Sequence, residues 1–174
     1  QDLNFEFFES IEEDKYYDEN LYYDYRSHAN GQVIDKYYCG TALLESPFFL
    51  IAHLFSYLLD YELDGYSKLY PISINISAIF YLLIGLIFLN ATLDTYQIKN
   101  WQKSITFFAA VFGTNLFYYT VGEPGMSHVF SFALISLFYY YSRTYFLRKN
   151  KHHLLKLFLL LGLIVITRPI NGLI

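Results

Sequence analysis

The sequence predicts an all-α, multi-pass membrane protein on three observations. Of its 174 residues, 55% are hydrophobic and only 16% are charged, and several charge-free stretches reach bilayer-crossing length. Soluble domains carry about a quarter charged residues. So much apolar surface also excludes a disordered chain. The single cysteine, Cys39, excludes an internal disulfide, and a net charge of −4 gives no reason to expect nucleic acid as a partner.

Charge divides the chain. Ten acids and three bases fall within residues 1–40, leaving fifteen charged residues for the other 134. Residues 1–40 therefore read as an acidic, tyrosine-rich external loop region. They are not a signal peptide, because no basic start precedes an apolar core. Residues 61–174 read as an incomplete bundle of about four spanning helices. Pro71–Thr92 has no charge, nor do Ser104–Val121 and Met126–Ser142. His153–Ile174 is apolar apart from Lys156, Arg168 and Asn171.

Residues 41–60 differ. On a helical wheel, Glu45, Ser46, His53, Ser56 and Asp60 share an arc of roughly 100°, opposite a leucine- and phenylalanine-rich face. One polar stripe suits a juxtamembrane or re-entrant amphipathic helix; a spanning helix is the alternative.

Orientation follows lysine and arginine. Arg143, Arg148, Lys149, Lys151 and Lys156 make the loop between the last two runs cytoplasmic. Alternation then places Gly122–Gly125 and Asp60–Tyr70 outside, and the acidic head with them if Thr41–Leu59 only lies on the membrane.

Signatures of common soluble enzymes are absent, so polar residues near the external helix ends carry the functional reading. An arginine inside an apolar run is costly. Arg168 either snorkels to headgroups or binds a phosphate with its planar fork, and Pro169 loosens the helix beside it. Glu123 and His128 flank a Pro124–Gly125 turn, with Ser127 expected to cap the helix that follows. The pair serves as a cap or as a proton-transfer couple. Asp60, Glu62 and Asp64 alternate before Gly65, a pattern for a divalent cation or for a solvated turn. His28 and His53 read as structural or interfacial.

The order of these pieces resembles integral-membrane GT-C-type glycosyltransferases, especially bacterial glycosyltransferase or mannosyltransferase-like proteins. The first stretch runs Asp35-Lys36-Tyr37, Gly40, Ala42-Leu43-Leu44, Pro47-Phe48-Phe49 and Ala52-His53. Asp64-Gly65-Tyr66-Ser67 follows, then Phe112-Gly113-Thr114-Asn115-Leu116, Glu123 to His128, and Thr167-Arg168-Pro169-Ile170-Asn171. The resemblance implies an enzyme of the cytoplasmic (inner) membrane whose active face is external. It would move a sugar from a polyprenyl-phosphate donor to a glycan or lipid acceptor, with the first loop and juxtamembrane helix roofing the site. Glu123 and His128 become the catalytic candidates and Arg168, Lys36 and Asn171 the substrate-binding ones. No metal ligand set is assigned; a divalent cation remains the only cofactor in view. The family's usual catalytic acid follows a first spanning helix that has no counterpart here, so the chain reads as a fragment unlikely to act alone. The alternative is a non-catalytic multi-pass protein that binds or moves lipid-linked saccharide.

Overall fold

A computed structural model describes the backbone of Arg26–Ala29 and Gln32–Asp35, and residues 37–149 and 151–174. The chain divides into two compact units, Gln1–Tyr38 and Cys39–Ile174. In the first, β1 (Arg26–Ala29) pairs antiparallel with β2 (Gln32–Asp35) in the register Arg26↔Asp35, Ser27↔Ile34, His28↔Val33, Ala29↔Gln32. Asn30-Gly31 lies between them, a dipeptide favoured in tight hairpins. The acidic head thus contains a β element where a loop region was expected. Lys36 lies outside the described residues.

The second unit is helical: α1 (Gly40–Leu58), α2 (Leu69–Thr95), α3 (Asn100–Phe112), α4 (Leu116–Val121), α5 (Ser127–Arg148), α6 (Lys151–Thr167), and a 3-10 turn over Pro169–Leu173. Among the described residues, α1 and α2 are long and apolar enough to cross a membrane.

Two expected runs are interrupted. Ser104–Val121 is not one helix, because α3 stops at Phe112. Gly113 disfavours helix, and the Thr114 hydroxyl donates to the Ala110 carbonyl at 2.6 Å while accepting the Leu116 N–H at 3.1 Å. One side chain thereby closes α3 and opens α4. His153–Ile174 breaks at Arg168, whose backbone is extended (φ −159°, ψ 101°), the conformation favoured before a proline. Charge alone could not reveal either break.

Neighbour contacts set the helix directions. Gly85 of α2 meets Phe132 and Ala133 of α5, Phe88 meets Tyr140 at 5.3 Å, and the Arg143 guanidinium lies 4.4 Å from the Tyr96 ring centroid. Position rises together along both helices, so α2 and α5 run parallel. The α6 helix returns antiparallel to α5, with Tyr141 near His153 at one end and His128 near Arg168 at the other. The α1 helix is antiparallel to α2, from Tyr81 Oη donating to the Leu44 carbonyl (3.1 Å) to His53 Nδ1 bonded to Tyr70 Oη (2.7 Å). Contacts therefore run along the first half of α2. Tyr70 is 1% exposed. Tyr70→Phe keeps the ring but drops the bond, and should lower stability by about 1–2 kcal/mol in thermal unfolding of the purified protein.

The core joins Leu44, Phe130, Leu134, Leu160 and Ile164. Around it the buried positions are mainly small or hydroxylated: Ser73, Ser77, Ala78, Thr120, Ala133, Thr144 and Thr167. The hydroxyls of Ser73, Ser77, Thr120, Thr144 and Thr167 donate to carbonyls of their own helices at 2.7–2.8 Å, so their burial leaves no unmet bond. Large apolar side chains such as Leu83, Ile87, Phe108 and Phe158 face outward.

Candidate functional site

Two helix interruptions face each other across the start of α5 and border an open cavity of about 500 Å³. One wall is α5, where His128, Ser131, Phe132 and Ile135 share a face at helical spacing. The break between α3 and α4 supplies Ala110, Thr114, Asn115, Leu116 and Tyr119, and the end of α6 supplies Arg168 and Asn171. Arg168 keeps its backbone N–H on the Ile164 carbonyl (2.9 Å), while its extended ψ and Pro169 carry the chain away from the helix axis. The Asn171 N–H then returns to the Arg168 carbonyl at 2.9 Å and holds the turn.

Arg168 Nη1 is 3.2 Å from His128 Nδ1. A guanidinium can only donate, so Nδ1 accepts and the ring hydrogen sits on Nε2. His128 is further held by stacking on Tyr119, with centroids 3.8 Å apart and planes 14° apart. This neutral imidazole presents an N–H donor to its surroundings, and removing a proton through Nδ1 would first require losing the arginine bond. Among the described residues no carboxylate pairs with Arg168, whose other N–H groups remain for a ligand. The Ser131 hydroxyl is buried without a hydrogen-bond partner on the same wall.

His128, Arg168 and Asn171, three of the sequence-derived candidates, thus meet at one cavity. Glu123 does not line it: its Oε1 accepts the Tyr118 hydroxyl at 2.8 Å, bracing the turn between α4 and α5. Ser127 does not cap α5 through its side chain; Met126 holds the N-cap position. His53 is a helix-pairing residue, as its bond to Tyr70 shows. Asp64 closes a turn instead of presenting a free carboxylate, accepting the N–H groups of Tyr66 (2.8 Å) and Ser67 (2.9 Å), and Gly65 takes the left-handed backbone (φ +81°) that the turn needs. No group of three or more potential ligands for a metal ion occurs among the described residues.

No family model matches the chain, and no curated protein or solved structure is detectably similar to it. Its chemistry has to be read from the cavity itself.

That chemistry is donor-rich. A guanidinium, an imidazole N–H, two carboxamides and hydroxyls line the cavity, and none of its residues is acidic. Such a lining suits an anion with several oxygens, phosphate above all. Sequence reading noted Thr114 and Asn115 only within the family resemblance and passed over Tyr119 and Ser131. The available signal was Gly113-Thr114-Asn115, a helix-breaking triplet inside an apolar run, whose counterpart is the break at Arg168-Pro169.

Proposed function

We propose that this chain is part of a GT-C-like membrane glycosyltransferase and that its cavity holds the phosphate of a polyprenyl-phosphate-linked sugar donor. The observation that carries the reading is the meeting of Arg168, His128 and Asn171 at one cavity without an acidic lining residue. Arg168 binds the phosphate and stabilises the charge that develops on it as the sugar leaves. The His128 N–H and the Asn171 amide orient the headgroup, and the acceptor is a glycan or lipid hydroxyl.

Membrane placement is supported by the distribution of side chains. Small and hydroxylated residues at helix contacts, with leucine, isoleucine and phenylalanine outside, are what association in a hydrocarbon solvent favours. The proposed bundle adds α5, α6 and the kinked α3–α4 run to the apolar helices, in the cytoplasmic (inner) membrane. Its cavity end faces out and the loop after Arg143 faces the cytoplasm. Stacking of Arg143 on Tyr96 keeps that loop and the α2–α3 connection at the same end, as this orientation needs. At 27 residues α2 is about 40 Å long, some 10 Å more than the bilayer core, and α1 flanks its first half. That arrangement favours α1 as a juxtamembrane roof.

The second reading, a non-catalytic binder or carrier of lipid-linked saccharide, draws on the lack of any carboxylate among the cavity-lining residues. Labelled polyprenyl-phosphate sugar separates the two. With the full-length protein and an acceptor present, retention with release of free polyprenyl phosphate indicates transfer, retention alone indicates binding, and no retention overturns both. Topology has its own test in a Cys39→Ser background. A cysteine placed at Glu123 should react with an impermeant reagent from outside the cell and one at Lys149 should not; the opposite pattern overturns the orientation.

A further inference from the structure

The end of the helical unit remote from the cavity has a different character. The α2–α3 connection and the α5–α6 connection meet there through Arg143 and Tyr96. Together they carry seven cations: Lys99, Lys103, Arg143, Arg148, Lys149, Lys151 and Lys156. Their only acid is Asp94, which is already paired with the buried Lys103. The remaining cations have no such neutralisation among the described residues, and most are exposed. Aromatic rings lie among them. Lys156 Nζ sits 4.6 Å from the Tyr141 ring centroid, and Tyr96 and Trp101 are more than half exposed. Arg143 Nε and His153 Nδ1 are shut from solvent without hydrogen-bond partners, since both groups pack against tyrosine rings. Exposed cations beside exposed aromatics match the chemistry of a bilayer's headgroup layer. There phosphate oxygens accept from ammonium and guanidinium groups that reach the surface, and amphipathic rings sit between hydrocarbon and water.

We propose that this basic, aromatic end binds the phosphate headgroups of anionic phospholipids, with Arg143 and Lys156 as the inner contacts and Lys99, Lys149 and Lys151 as the outer ones. The proposal rests on the membrane placement above but needs no enzymatic activity. It makes a neutral bilayer a poorer host for the chain than an anionic one.

Trp101, the single tryptophan, lies in the first turn of α3 and reports from this end. The protein is reconstituted into phosphatidylcholine vesicles containing brominated phosphatidylglycerol or, in parallel, brominated phosphatidylcholine. At low salt the anionic quencher should act as though enriched about fivefold around Trp101, the factor expected from one well-placed cation. The preference should shrink as salt rises. Arg143→Gln with Lys156→Gln should abolish it. Lys149→Gln with Lys151→Gln, at exposed positions that cannot disturb packing, should reduce it. Equal quenching by the two lipids at low salt overturns the proposal while leaving the membrane placement intact. Quenching by neither, with the protein left in the aqueous phase, overturns the placement itself.

Discussion

Replacing Arg168 by alanine is expected to weaken retention of a polyprenyl-phosphate sugar by about 30- to 150-fold, the loss of roughly 2–3 kcal/mol from charge-assisted hydrogen bonds. Among the described residues the wild-type side chain is held by one neutral partner, His128, which leaves most of its donors uncommitted there. Arg168→Lys should fall between the two, because an ammonium keeps the charge but loses the two-pronged geometry. The fold should survive, since Arg168 contributes its backbone N–H to α6 and no described carboxylate depends on its side chain. Titration with labelled donor, alongside thermal unfolding of each variant, separates binding from stability. Unchanged retention in Arg168→Ala would remove the phosphate assignment and with it the main support for the enzyme reading.

The second large effect belongs to Gly40. A Cβ there would lie 2.4 Å from the Thr167 backbone N and Cα and 2.5 Å from the Ile166 carbonyl carbon. Backbone cannot step aside as a side chain tip can, so Gly40→Ala should push α1 off the end of α6 at a cost of about 3 kcal/mol. The displaced segment adjoins Arg168, so donor retention should fall too. Two other glycines provide the scale. At Gly85 a Cβ would strike the Phe132 ring, which can shift, and come within 3.2 Å of the Ala133 Cα, which gives less, so about 1–2 kcal/mol is expected. At Gly162 nothing lies within 4 Å, and alanine should be neutral or stabilising through its helix propensity. Melting temperatures that do not follow the order Gly162, Gly85, Gly40 would contradict this packing.

Much of the helical unit was legible because hydrophobicity in long runs is a strong signal: Pro71–Thr92 lies within α2, and Thr41–Asp60 nearly coincides with α1. Interruptions were harder. Gly113-Thr114-Asn115 carries no charge, so a reading based on charge passed straight through it, although those residues punctuate helices for reasons of backbone entropy and local hydrogen bonding. Asn30-Gly31 went unread for the converse reason, being a short-range turn signal within a head assessed only by composition. Arg168 was visible as an anomaly in its run. Its proximity to His128, forty positions earlier, depends on how α5 and α6 pair and could not be deduced from spacing. Glu123 looked like chemistry because a turn does not require it; one of its carboxylate oxygens accepts the Tyr118 hydroxyl, and it does not line the cavity.

The parallel course of α2 and α5 carries a geometric obligation. Two neighbouring helices that point the same way need a return path between them, and α3 with α4 provides it. Had that path been one straight rod, it could have lain flush along α5 and filled the space. Instead α3 packs little against α5, while α4, beyond the break at Thr114, packs against both α2 and α5. The cavity is the slack left by this bowed return. Thr114, whose hydroxyl bonds to both arms of that return, therefore lines the same cavity as Arg168, though the two are far apart in sequence.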